Sequence, residues 1–274
     1  MILSSKFVYI IDKFYRMNKV SLAKLSLVFS KKITIITRSI SFNKNACTDL
    51  VVWGTNLGST AKRLTKQVRK MIQLPPYQKS VVVGLLLSDG WFSLSVSRTL
   101  KNARLGFRQS LDKSPYVWFV FNCLSHYCER YPYSYSSLRK GKPHYNVTIT
   151  TRALPCFTEL YNLFYKEGKK IIPHNIYDLL TPVALAHLIM GDGTAQSSGL
   201  RICTDSFEVQ DIVRLMNVLI IRYGLTCTLH LDRGRFRVYI NKSSPPLLRK
   251  QEGSKLIIIV KPYMVPSMLY KLGL

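Results

Sequence analysis

Two apolar runs that each end on Asp-Gly constrain this chain more than any other feature. Residues 82–90 read VVGLLLSDG, ending at Asp89-Gly90, and residues 185–193 read LAHLIMGDG, ending at Asp192-Gly193. One Asp-Gly after a helical run is an ordinary turn with a glycine cap. Two matched copies, about a hundred residues apart, point instead to an internal duplication. Val81 to Leu87 is apolar on every side, which predicts a helix buried all round, most simply against its counterpart. Gly84 and Ala186 are small enough to let two such helices approach closely.

The aspartates sit at the unfavourable end. A helix C-terminus carries about half a negative charge, so a carboxylate there is destabilising by itself. In a parallel helix pair, Asp89 and Asp192 meet at one end, and two dipole ends join two carboxylates. Such a centre calls for cations. Hard oxygen ligands beside a phosphate backbone suit magnesium, which takes one or two carboxylates and fills its shell with phosphate and water oxygens. Metal held between Asp89, Asp192 and a scissile phosphate would activate a water and stabilise the leaving oxygen.

The text around each run has the same order. In the first half, Pro75-Pro76 closes what precedes, and Ser80 is expected to cap the helix. WFSLSV and RLGFRQSL then read as strands, the second placing Arg104 and Arg108 on one face. YVWFVFNCLSHYCER reads as a packed helix, although its aromatics also permit a strand. HYNVTITTR puts Tyr145, Val147 and Ile149 on one face and Asn146, Thr148, Thr150 and Arg152 on the other. LPCFTELYNLFYK closes the half as an amphipathic helix. The second half restarts at Thr181-Pro182, a Thr cap with Pro at the first helical position. Its strands are LRICTDS, which carries Arg201, then TCTLHLD and RFRVYINK. In the last, Phe236, Val238 and Ile240 oppose Arg235, Arg237, Tyr239 and Asn241. A helix between them starts at Asp205 or Ser206 and ends at Gly224. The class is therefore α+β, with helix, strand pair, helix, strand pair and helix in each half. The expected division is a basic leader over 1–74, a first half over 75–168, a linker over 169–180 and a second half over 181–274.

Forty Lys and Arg against fourteen Asp and Glu leave a formal charge of +26, spread along the whole chain. Such an excess repels itself in the free protein and suits a polyanionic partner. Nucleic acid is the better fit than an anionic membrane surface, because the basic residues alternate with apolar ones in strands. Two sheets with a long-armed basic face can line a major groove, where Arg, Asn and Gln read base edges and Lys neutralises phosphates. On this reading Arg104, Arg108, Arg152, Arg201, Arg235 and Arg237 are the candidate DNA contacts. Six cysteines, with no C-x-x-C spacing, read as free thiols of a reducing compartment rather than a zinc site. No apolar run is long enough to span a bilayer; LIIIV at 256–260 falls far short. The first 42 residues contain one acid, Asp12, among many Lys, Arg and Ser, a bias resembling a mitochondrial transit sequence.

VVGLLLSDG and LAHLIMGDG resemble the paired signatures of LAGLIDADG homing endonucleases in their single-chain, two-motif, intron-encoded form. The likeness covers about residues 75–274 and includes KKIIPHNIYDLLTPVALAHLIMGDGT and VKPYMVPSMLYKLGL. It implies a pseudo-symmetric saddle of two αββαββα halves with two antiparallel DNA-facing sheets. It also implies magnesium-dependent cutting of both strands of a long asymmetric DNA site by a monomer. The family's metal-binding acids carry over to Asp89 and Asp192. Lysines near the active site of similar members match Lys170 and Lys261, either orienting the water network or contacting phosphate. The segment 249–259, RKQEGSKLIII, looks longer than is usual, which bears on where Lys261 lies. The family also includes maturases that help their own group I intron RNA to splice. The intact pair of aspartates favours the nuclease, since RNA binding has no need of both.

Overall fold

The computed structural model describes residues 64–96, 101–139, 141–242 and 255–274. Residues 1–63 of the expected leader, with Cys47, and residues 249–254 of the polar segment lie outside the described residues.

The two Asp-Gly runs form the central helices. The first, α2 (Pro76–Leu86), follows a short α1 (Lys66–Met71) and starts on Pro76. The expected Ser80 cap is displaced. Ser80 lies a turn inside the helix and donates its hydroxyl to Pro76 O at 2.8 Å. Proline without an N–H, with φ already set for a helix, begins it earlier. The second central helix, α6 (Pro182–Asp192), starts as its sequence predicts, with Thr181 Oγ1 accepting the N–H of Ala184 at 3.2 Å. Every residue from Ser80 to Ser88 and from Val183 to Gly191 is buried, so neither helix has a solvent face.

The two helices run parallel, as the glycine contacts show. A Cβ on Gly84 would lie 2.4 Å from Ala184 O and 2.5 Å from His187 Cβ. A Cβ on Gly191 would lie 2.5 Å from Ser88 Cβ. Contacts therefore advance in the same direction along both helices, from 84 against 184 to 88 against 191. The small residues at the crossing are Gly84 and Gly191, and the partner of Gly84 is Ala184 rather than Ala186.

Each helix feeds a four-stranded antiparallel sheet of the same topology. In the first half β1 (Gly90–Val96), β2 (Lys101–Ser110), β3 (Tyr133–Arg139) and β4 (Lys142–Thr150) are ordered β1-β2-β4-β3. α3 (Ser114–Leu124) joins β2 to β3, which settles the ambiguous aromatic stretch as a helix. α4 (Pro155–Phe164) closes the half, and the two-residue strands β5 (Tyr165–Lys166) and β6 (Lys169–Lys170) lead to the short α5 (Ile176–Leu179). In the second half β7 (Gly193–Gln196), β8 (Gly199–Ile202), β9 (Cys227–Asp232) and β10 (Arg235–Asn241) are ordered β7-β8-β10-β9. α7 (Val209–Tyr223) joins β8 to β9 and starts later than expected, after Glu208. It ends on Gly224, whose φ of 58° is the left-handed cap that glycine adopts without a Cβ penalty. α8 (Lys255–Val260) and the 3-10 turns Lys261–Tyr263 and Pro266–Leu272 complete the chain.

Alternation along the strands sorts the faces. Leu105, Phe107, Val147, Ile149, Leu200, Ile202, Val238 and Ile240 are buried under the helices. Arg104, Arg108, Arg235 and Tyr135 stand on the other side. Among the described residues, no helix is long and apolar enough to cross a membrane, and the five cysteines present are free thiols.

Candidate active site

Both aspartates arrive at the same end because their helices are parallel. Asp89 lies just past the end of α2, exposed, and Asp192 is the last residue of α6, partly buried. The Asp89 carboxylate packs on the backbone of the other motif; a Cβ on Gly191 would lie 3.2 Å from Asp89 Oδ2. Gly191 is what lets that carboxylate approach Asp192. The electrostatic cost falls on Asp192. Burial first, then the charge of Asp89, push its carboxyl from 3.8 up to about 7, against the opposing pull of Lys170 and Lys271.

Two lysines supply the cations this end requires, one from the segment that joins the halves and one from the end of the second half. Lys170 Nζ donates to Ser88 O at 3.1 Å and Gly90 O at 2.7 Å, the carbonyls on either side of Asp89. Lys271 Nζ donates to Gly191 O at 3.2 Å and Gly193 O at 2.8 Å, the carbonyls on either side of Asp192. Each ammonium thus caps the negative end of one central helix. Burial lowers Lys170 to about 8, while Asp192 and Asp89 hold it up. Lys271 is also lowered, by burial first and the charge of Lys113 second.

The expected lysine of the second half, Lys261, does not take this place. It is exposed at the start of the turn Lys261–Tyr263, and the carbonyls beside Asp192 receive Lys271 instead. A signal for this was present. Lys170 lies 82 residues after Ser88, and Lys271 lies 80 residues after Gly191. Applying the first interval to the second motif reaches the end of the chain, one turn beyond VKPYMVP.

Gln109 was not anticipated as a site residue. It lies near the end of β2, buried, and its Nε2 donates to Asp89 Oδ2 at 2.5 Å, fixing the more exposed carboxylate. Strand register gives its counterpart in the second half. Gly90 faces Phe107, and Gly193 faces Ile202, so the residue two further on is Gln109 in one sheet and Thr204 in the other. Thr204 turns away and donates to Phe236 O at 2.7 Å. Behind the carboxylates, Tyr116 OH and His187 Nδ1 share a hydrogen bond of 2.9 Å in the fully buried helix interface. Burial lowers His187 to about 3, so this imidazole is neutral.

The candidate DNA contacts divide. Arg104 and Arg108 are exposed on β2. Arg108 is held in place: its Nε donates to Thr148 Oγ1 at 3.0 Å, and its guanidinium lies 5.6 Å from the Trp91 ring and 5.1 Å from the Tyr135 ring. Trp91 in turn lies flat on Gly106, where any Cβ would be 2.4 Å from the indole. Arg201, Arg235 and Arg237 stand on the second sheet and are ion-paired to Asp205 and Asp232. Arg152 departs from the expected polar face. The strand ends at Thr150, and Arg152 turns back with its N–H donating to Tyr127 O at 2.7 Å and its Nε sealed from solvent. Its charge acts on Cys128, whose thiol burial pushes up to about 12.

The LAGLIDADG DNA endonuclease family model matches residues 79–248, which takes in both motifs and both sheets. The cytochrome b mRNA maturase bI2 of Debaryomyces hansenii is 30% identical over 199 residues, 70% of this chain and 72% of that protein. The intron-encoded endonuclease ai4 of Dictyostelium discoideum is 37% identical over 129 residues, 47% of this chain and 76% of that protein. The homing endonuclease I-WcaI, solved on its DNA recognition sequence, overlays 78% of this chain and 95% of its own at a TM-score of 0.65 and 22% identity, a likeness of fold. A duplicated helix–sheet fold whose two motif helices end side by side on aspartates, matched over most of its length by the family model, is a member of the LAGLIDADG DNA endonuclease family.

Proposed function

We propose that the chain is a site-specific, double-strand DNA endonuclease that promotes mobility of its host intron by hydrolysing phosphodiester bonds. One observation carries the reading. Asp89 and Asp192 share one centre, and each is bracketed by a lysine bound to its flanking carbonyls. A purely structural helix pair has no use for two carboxylates at its negative ends, and Asp192 held near 7 costs stability in the absence of a cation.

The donor set fits a divalent ion. Among the described residues no cluster of three or more His, Cys, Asp or Glu could form a cage by itself. Two carboxylates, with Asp89 exposed, leave the remaining positions to phosphate and water oxygens, which suits magnesium better than a closed protein site. Asp89 and Asp192 would hold it, and when bound it supplies an activated water and stabilises the leaving oxygen. The rest is done by the chain. Gln109 keeps the Asp89 carboxylate aimed, and Lys170 and Lys271 offset the negative charge that gathers as two helix ends, two carboxylates and a phosphate meet. The basic sheet faces hold a long asymmetric duplex across both halves. Under this reading 75–168 and 181–274 are the two half-domains and 169–180 joins them; of the expected leader 1–74, residues 64–74 pack with the first half, since Ile72 is buried in the core and Tyr127 OH donates to Gln73 O at 2.8 Å. The acid-poor start of the chain supports a mitochondrial protein, and two motifs within one chain make both halves of the site without a second copy.

The test is direct. Purified protein with magnesium is incubated with DNA spanning the intronless insertion site, and a double-strand cut with short 3′ overhangs is expected. Intact DNA across a range of magnesium concentrations would sink the nuclease reading.

The likeness to a cytochrome b mRNA maturase favours a second reading, in which the chain assists splicing of its own group I intron RNA. Intron splicing with and without the protein decides it, and Asn at Asp89 and Asp192 should leave splicing intact.

A further inference from the structure

The two sheets present very different charge to the same partner. The four strands of the first, GWFSLSV, KNARLGFRQS, YSYSSLR and KPHYNVTIT, contain no acid, and Asp112 just past β2 is exposed in the turn Leu111–Lys113. The second carries Asp232 at the end of β9 and Asp205 just past β8, both among its arginines. Arg237 is the hub. Its Nε and Nη2 donate to the two oxygens of Asp205 at 3.1 and 3.2 Å, and its Nη1 donates to Asp232 Oδ2 at 2.5 Å. Arg201 Nη1 reaches the same Asp232 oxygen at 3.2 Å, and Arg235 lies 3.8 Å from Asp205. Arg237 is only 15% exposed and Arg201 36%.

On a surface selected only for grip, acids beside arginines are a handicap, because they repel phosphates and cancel the counterion release that drives binding. They serve when an arginine must be aimed. A guanidinium anchored on one edge has few rotamers left and presents its free N–H groups in a fixed direction, which suits bidentate donation to guanine O6 and N7. The first sheet holds Arg108 with aromatic rings and Thr148, and among the described residues no acid pairs with it. The second holds its arginines with carboxylates.

Resting on the DNA-binding reading above, we propose that Asp205 and Asp232, fixed in place by Arg237, are specificity-determining residues that hold Arg201 and Arg235 off the phosphates and aim them at base edges.

The experiment uses Asp232→Asn, because Asp205 also bears on the charge of Asp192 whereas Asp232 is not among the charges acting there. Binding of wild type and variant is measured against salt on two duplexes: the target recovered by wild type from a random library, and a random duplex of equal length. The variant should bind the random duplex more tightly, with a salt slope steeper by about one phosphate contact. Its preference for the target should fall on the order of tenfold. Arg201→Gln should lose preference to a similar degree with no change in salt slope. It decides the matter alone should Asp232→Asn fail a circular-dichroism melt. An unchanged slope and preference in Asp232→Asn, or an Arg201→Gln variant that flattens the slope, would overturn the proposal. If Asp232→Asn tightens both duplexes equally, the acids only repel phosphate and the proposal also falls. Failure of wild type to bind any duplex at low salt removes the DNA reading itself, a distinct outcome.

Discussion

Replacing Asp192 with Asn should make the protein more stable while disabling it. Asp192 is raised from 3.8 to about 7, by burial first and by Asp89 second. Each factor of ten in proton affinity is about 1.4 kcal/mol, so the full displacement corresponds to about 4 kcal/mol. The sign follows from which state holds the proton. Below 3.8 the carboxyl is protonated folded and unfolded, and its contribution to stability is complete. As pH rises towards about 7 only the unfolded chain ionises, so stability is lost progressively; above that the loss is complete. Asn never ionises and escapes this loss. Part of the gain is offset, because Lys170, already lowered to about 8, also loses the carboxylate that sustains its charge. Urea unfolding followed by circular dichroism should therefore give overlapping curves for wild type and Asp192→Asn near pH 4. By pH 8 the variant should be ahead by about 2–4 kcal/mol. Magnesium should narrow the gap by stabilising wild type, since only a folded pair of carboxylates binds it. A difference that stays flat from pH 4 to 8 would refute the reasoning, because Asp192 would then carry no burial penalty.

Other variants separate the parts of the account. Lys271→Met should reduce cleavage by roughly a hundredfold, as should Lys170→Met, whereas Lys261→Met should stay within about threefold of wild type, measured as single-turnover rates. Gly84→Ala should lower stability by about 1–3 kcal/mol in urea or thermal unfolding, since its methyl would press on Ala184 backbone and His187 rather than on a flexible side-chain tip. Gly106→Ala should displace Trp91 from its seat and weaken DNA binding through Arg108, by about tenfold in a gel-shift titration.

What the sequence made legible was local or repeated. All-round apolar helices ending on Asp-Gly, the Thr181-Pro182 start, the Gly224 stop and the alternation along the strands each depend on a few neighbouring residues. The duplication made a helix pair legible, but its parallel sense came from the contacts of Gly84 and Gly191. What stayed hidden depends on distant partners. Gln109 reads as an ordinary strand residue until the sheet brings it to Asp89. Arg152 continues the strand alternation in the sequence, but the backbone turns away after Thr150. Lys271 was within reach, because the duplication that pairs Asp89 with Asp192 also pairs Lys170 with it. The resemblance matched the second lysine to Lys261, although VKPYMVPSMLYKLGL holds both Lys261 and Lys271. The carboxylate-held arginines of the second sheet could not be read from alternation, since Asp205 and Asp232 are 32 and 5 residues from Arg237 in the chain.

The central claim is that Asp89 and Asp192 form one cutting centre for both DNA strands. It is tested most directly by strand-resolved cleavage of the intronless junction with Asp89→Asn and Asp192→Asn singly, with binding measured on the same duplex. Each variant should lose cutting by roughly a hundredfold or more and still bind the duplex. If either variant cuts both strands at the wild-type rate, the shared centre is contradicted.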